Sequence, residues 1–204
     1  MNKKLAFIIC LLMLAVQLRT TAVLYASNDS PEEDYGVYSA LINQKYVTAR
    51  IKLIVIKDQT VGYTIDRLLA EDAFEYVSKQ LAPVSKETYE DFLAKNESPV
   101  RLDKQFTLRV DYALIGQEEL DRFFKPRQPD ENFLFRAWER FYEKYPHSPG
   151  YVMLSRVGYN AARDQAMVYA AHSCHWLCGE GRYILLTKGR DGWRIKNELH
   201  LWIS

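Results

Sequence analysis

The stretch AHSCHWLCGEGRY, Ala171 to Tyr183, places His172, Cys174, His175 and Cys178 within seven residues. Such side chains can bind a soft or borderline metal, cycle between dithiol and disulfide, or close a covalent staple. Structural zinc draws ligand pairs from two separated pieces of chain, so four ligands in one short loop fit it poorly. Thiol redox pairs are usually two residues apart, whereas three separate these cysteines. A disulfide needs its Cα atoms within about 7 Å. Four extended steps would separate Cys174 and Cys178 by about 13 Å, but a hairpin tip brings opposed residues to about 5 Å. The spacing therefore predicts a Cys174–Cys178 disulfide across a hairpin, contributing about 2 kcal/mol for so short a loop. The metal set His172, Cys174, His175 and Cys178 is the alternative.

Oxidation of that pair depends on the compartment, and the N-terminus addresses this. Lys3 and Lys4 precede an apolar run from Leu5 to Leu18, and Ala22 and Ala26 offer small residues for cleavage. This is the pattern of a secretory signal peptide over residues 1–26. The run is shorter than the ~20 apolar residues of a membrane span. An exported chain, periplasmic or extracellular, with no membrane span after cleavage, is expected. Lys3, Lys4 and Arg19 leave with the signal, so the remaining 178 residues carry 24 basic and 26 acidic side chains, net −2. That balance argues against a nucleic-acid binder, which shows a basic face or stripe. An unidentified protein or envelope partner is the expectation, and no cofactor is called for.

The elements that would hold the loop follow from periodicity. Ser30, Pro31, Glu32 and Glu33 open a helix carrying Val37, Ala40, Leu41 and Ile42. Ile51–Asp58 reads as a buried strand, and Asp66–Leu81 as a helix. Ser85 caps a helix that ends at Asn96. Phe106, Leu108, Val110, Tyr112 and Leu114 alternate as in a strand, and Glu118–Phe124 gives a helical turn or two. Leu134, Ala137, Trp138, Phe141 and Tyr145 form the apolar stripe of a helix from Asp130 to Lys144. Strands are expected at Tyr151–Tyr159, Gln165–His172, Arg182–Lys188 and Trp193–Ile203. In the last of these Trp193, Ile195, Leu199, Leu201 and Ile203 share one parity. Residues 27–204 thus form a single α+β domain, with helices packed on a mostly antiparallel sheet. Residues 27–150 are mainly helical with two strands, and residues 151–204 are a four-strand antiparallel meander. An NTF2-like cone is the alternative fold.

Other chemistry is sparse. There is no G-x-S-x-G elbow and no H-E-x-x-H helix, and the G-x-G of Gly179–Gly181 precedes a strand. Arg156, within Ser155–Tyr159, is a candidate cleft residue. CHWLCG resembles the binuclear copper loop of cytochrome oxidase subunit II, but Arg182 and Leu185 stand where that family needs histidine and methionine. Tyr145–Gly150, Ser155–Asn160, Leu177–Leu186, Gly192–Trp193 and Trp202–Ser204 together resemble a group of uncharacterised exported bacterial proteins. Those proteins share S-R-V-G, L-C-G-x-G-x-Y-x-L-L and G-W…W-I-S patterns, and the resemblance implies no activity. The reading is an exported, non-catalytic binding or envelope-associated protein with a stapled hairpin. A hydrolase with a dispersed active site, and a thiol-redox or copper-handling protein, are the alternatives.

Overall fold

The computed structural model describes residues 31–62, 70–125, 133–175 and 177–204. Residues 1–26, read as a signal peptide, lie outside these, as do the first turns of two expected helices, residues 66–69 and 130–132. Glu32–Ser204 is one compact unit. It contains helices α1 (Pro31–Lys45), α2 (Ala70–Gln80), α3 (Lys86–Lys95), α4 (Gln117–Phe124) and α5 (Phe133–Lys144). Its strands are β1 (Leu53–Lys57), β2 (Asp111–Ile115), β3 (Tyr151–Leu154), β4 (Gly158–Tyr159), β5 (Gln165–His175), β6 (Cys178–Gly189) and β7 (Gly192–Ile203).

All seven strands form one mixed sheet, ordered β2-β1-β3-β5-β6-β7, with β4 also paired to β5. β1 runs parallel to both β2 and β3. From β3 onward every pairing is antiparallel. The expected meander is present, its first strand broken into β3 and β4. The α+β class holds, but helices cover both sheet faces, unlike the one-sided cover of the cone. α1 buries Val37, Tyr38, Leu41 and Ile42 against Ile54, Ile56, Val168 and Ile184. On the other face, α2 and α3 lay Val77, Tyr89 and Phe92 on Tyr169, Tyr183 and Leu185. α4 and α5 cover Val55 and Ile115 there with Leu120, Trp138, Phe141 and Tyr145. β1, neighboured on all sides, reads as a continuous apolar run, and Ile54, Val55 and Ile56 are fully buried.

Three expectations need correction. Phe106–Val110 is not strand. α1 takes its backbone instead: Thr107 N donates to Ser39 Oγ (2.9 Å), Asn43 Nδ2 to Thr107 O (2.9 Å), and Arg109 N to Asn43 Oδ1 (2.9 Å). The alternating apolar side chains still face the core. β7 does not keep one parity, because register shifts opposite Leu185/Leu186 and Gly181/Arg182 each insert a residue. Trp193 and Ile195 therefore join the α1 face, Leu199 and Leu201 the opposite face, and Ile203 is 74% exposed. Leu134, one turn before the buried part of its stripe, is exposed.

The Ser155–Asn160 stretch holds the layers together. Ser155 exchanges bonds with Tyr169: Ser155 N donates to Tyr169 O (2.9 Å), and Tyr169 N to Ser155 Oγ (2.8 Å). Tyr38 OH of α1 donates to Ser155 O at 2.8 Å. From the other side, Asn96 at the end of α3 brackets Arg156, accepting from its N (2.8 Å) and donating to its O (3.1 Å). A Cβ on Gly158 would lie 2.4 Å from Phe92 N, inside the backbone of α3. Gly158→Ala should therefore lower stability by about 2–3 kcal/mol in urea unfolding, as overpacking against a rigid neighbour does. Gly189→Ala, whose Cβ would meet nothing nearer than 4.0 Å, should leave the midpoint unchanged or slightly raised.

Candidate functional site

The sequence-predicted residues gather at the β5–β6 hairpin but do not converge. Cys174 and Cys178 are joined as a disulfide pair with Cα atoms 5.2 Å apart, beside the cross-strand pair His175↔Cys178. Tyr142 of α5 donates its hydroxyl to Cys174 O. The His172 ring packs on Tyr46 of the α1 face, at 5.3 Å between centroids. The His175 ring lies on the other face against Phe135 (6.1 Å) and Trp138 (6.4 Å) of α5. The two imidazoles thus lie on opposite faces of the hairpin, so His172, Cys174, His175 and Cys178 cannot share one metal. Among the described residues no group of three or more metal-ligating side chains converges. Arg156 is bracketed by Asn96 through its backbone and lines none of the three clefts described here.

Next to His172 sits an ionic cluster that the sequence did not announce. Glu180 lies directly across from His172 in the β5–β6 register. Arg182 donates to Glu180 Oε2 (2.6 Å) and Glu198 Oε2 (2.9 Å), and Lys45 donates to Glu198 Oε2 at 2.8 Å. His200 Nε2 is 3.7 Å from Glu180. Burial alone would raise the Glu180 carboxyl, but the Arg182 bond and charge, with Lys45, hold it below its usual range. Burial also pushes the Tyr46 hydroxyl up, with Glu180 and Glu198 adding to the effect. His172 is kept below its ordinary 6.5 by burial, against the opposing hydrogen bond to Pro149 O. Each charge in this cluster has a partner of opposite sign, so it is internally saturated and suited to fixing α1 against β6 and β7.

Among the described residues, clefts open at three places around this frame. One, about 360 Å³, lies at the hairpin end between Leu177, Gly179, Glu180 and Ile203. A larger one, about 600 Å³, sits beyond the carboxyl ends of β1 and β2, where open sheets with parallel strands tend to bind ligands. Asp58, Arg101, Glu118 and Arg122 border it. A third, about 330 Å³, shares Gln117 with the second and is walled by Leu120, Phe124, Tyr151 and Met153. Glu118 and Arg122 are neighbours at i, i+4 on α4, and the parallel β1–β2 pairing and the Gln59↔Arg101 bridge bring Asp58 and Arg101 beside them. No family model, curated protein or solved structure matches the chain.

The His172 shift has a definite sign. Its neutral form is favoured in the folded state, so the unfolded chain binds the proton more readily below 6.5. Stability should fall as pH drops from about 7 to about 5, and Glu180 should extend the loss as pH falls below 4.5. Urea unfolding across this range should show the upper part of the decline flattened in His172→Gln. An unchanged profile in that variant would remove His172 as its source.

Proposed function

We propose that the protein is exported and acts as a non-catalytic binding protein, engaging a protein or envelope partner through the closed end of the β5–β6 hairpin. The observation that carries this reading is the exposed apolar rim there. Leu177 is 65% and Ile203 74% exposed, and both line the same cleft, with exposed Phe135 packed beside His175 at the tip. Single exposed apolar residues are ordinary, but a cluster on a covalently closed tip marks a contact surface. The partner is an extended apolar segment that adds to β7. Among the described residues β7 pairs only with β6 and ends the sheet. Its first half is covered where Gln44 donates to Trp193 O and accepts from Ile195 N. Its second half runs beside the cleft, the arrangement used in strand addition.

Export is supported by the N-terminal pattern of residues 1–26 and by a cysteine pair placed to oxidise. No helix among the described residues is long and apolar enough to cross a membrane. Fractionation of the native cell followed by intact-mass measurement should recover a processed chain outside the cytoplasm that gains two hydrogens on reduction. A full-length cytoplasmic chain with both thiols alkylated would overturn export. Photo-crosslinking from position 135 should capture a partner in the same fraction, and Leu177→Asp or Ile203→Asp should abolish the capture. Both sites are exposed, so the variants should keep the wild-type stability within about 0.5 kcal/mol. Undiminished capture in both would refute the binding surface.

A further inference from the structure

We infer that the cleft beyond the carboxyl ends of β1 and β2 binds a short zwitterionic peptide. Carboxylates of Asp58 and Glu118 hold its ammonium group, and Arg101 and Arg122 hold its carboxylate. This site lies on different elements from the hairpin end and does not depend on the partner read there.

The charge state of the lining selects this chemistry. Among the described residues, Asp58, Arg101, Glu118 and Arg122 form no side-chain ion pair with one another or with a neighbour. This contrasts with the saturated cluster around Arg182, and with Glu119 at the same cleft, which Lys144 and Tyr145 already engage and which the Arg122 charge reaches without an ion-pair contact. Uncommitted groups of both signs around one cavity favour a ligand that carries both signs. An isolated anion would meet Asp58 and Glu118 at the start of α4, and an isolated cation would meet the two arginines. Asp58 stands close to the helix start, its Oδ2 3.2 Å from where a Cβ on Gly116 would sit. The volume, about 600 Å³, is that of a small-molecule pocket. Beyond Gln117 the second chamber, about 330 Å³, offers Leu120, Phe124, Tyr151 and Met153 to an apolar side chain, flanked by Lys57 and Lys125. A peptide with free termini and one apolar residue fills both chambers.

Calorimetric titration of the purified protein with the dipeptide Ala-Phe tests this. N-acetyl-Ala-Phe, Ala-Phe amide and the neutral sugar N,N′-diacetylchitobiose serve as comparison probes. Ala-Phe should bind, and capping either terminus should weaken it about tenfold or more, the loss expected for a charged hydrogen bond. Arg101→Gln with Arg122→Gln should weaken Ala-Phe but leave Ala-Phe amide unaffected. Asp58→Asn with Glu118→Gln should weaken Ala-Phe and leave N-acetyl-Ala-Phe unaffected. Thermal unfolding of each variant establishes that it is folded. Equal affinity for capped and free peptides, saturable binding of N,N′-diacetylchitobiose in their place, or no peptide binding by the folded wild-type protein would each overturn the proposal. None of these outcomes bears on the hairpin reading, whose variants leave this cleft untouched.

Discussion

The approach of α3 to the backbone of Gly158 governs how the rest of the molecule packs. With no side chain at Gly158, Phe92 lies flush on the broken first strand of the meander and reaches Tyr183 at 5.3 Å between rings. Asp91, one residue earlier, accepts from Tyr159 N at 2.7 Å, and Asn96 brackets Arg156. The strand break thus has the Arg156 backbone met by Asn96 at the end of α3 on one side and Ser155 O met by Tyr38 on the other. Buried irregular backbone persists only where such partners exist. Here they also clamp the two helical layers across one sheet.

Two kinds of charged surface result, and they differ in what remains to be satisfied. Around Arg182, Lys45, Glu180 and Glu198 are partly buried and mutually paired. Breaking one member would leave its partner's charge half-desolvated, so the cluster holds α1 in register on β6 and β7. At the carboxyl ends of β1 and β2 the charges are more exposed and uncommitted, which keeps them available to solvent or to a ligand. The parallel pairing of β1 with β2 and β3 is what creates that edge, since the chain leaves all three strands there.

Local signals in the sequence were legible wherever one element decides its own conformation. Ser85 and Asn96 cap α3 as their types require, with Thr88 N donating to Ser85 Oγ at 3.2 Å. The cysteine spacing indicated a hairpin closure that the β5–β6 register contains. What failed was partner choice. The alternation of Phe106–Leu114 correctly gave a buried face, but Asn43 and Ser39 claim the backbone of Thr107 and the N–H of Arg109. The β7 bulges were invisible because an inserted residue such as Lys196 looks like any strand residue, and its effect appears only against β6. Of the cleft residues, Glu118 and Arg122 share one face of α4 at i, i+4, but Asp58 and Arg101 come from separate segments. No spacing rule connects these to α4 until the crossover from β1 to β2 is known.

The stretches behind the family-like resemblance are explained as architecture. Gly181 carries no Cβ because the Trp202 indole occupies that space, 2.1 Å from where one would sit. Trp202 Nε1 in turn donates to Tyr169 OH at 3.0 Å. L-C-G-x-G and W-I-S are therefore two halves of one packing contact, joined across β6 and β7. S-R-V-G-Y-N is the clamp at the strand break, and its Asn160 accepts from Asp164 N (3.1 Å) and Gln165 N (3.0 Å) to turn the chain into β5. Ser148 Oγ closes the preceding turn on Tyr145 O at 2.8 Å. These glycine, serine, asparagine and tryptophan motif residues are thus committed to neighbours within the fold, whereas Leu177 and Ile203, also inside the motifs, stay exposed at the hairpin end. Chains sharing these patterns would share this frame, and the frame by itself fixes no ligand.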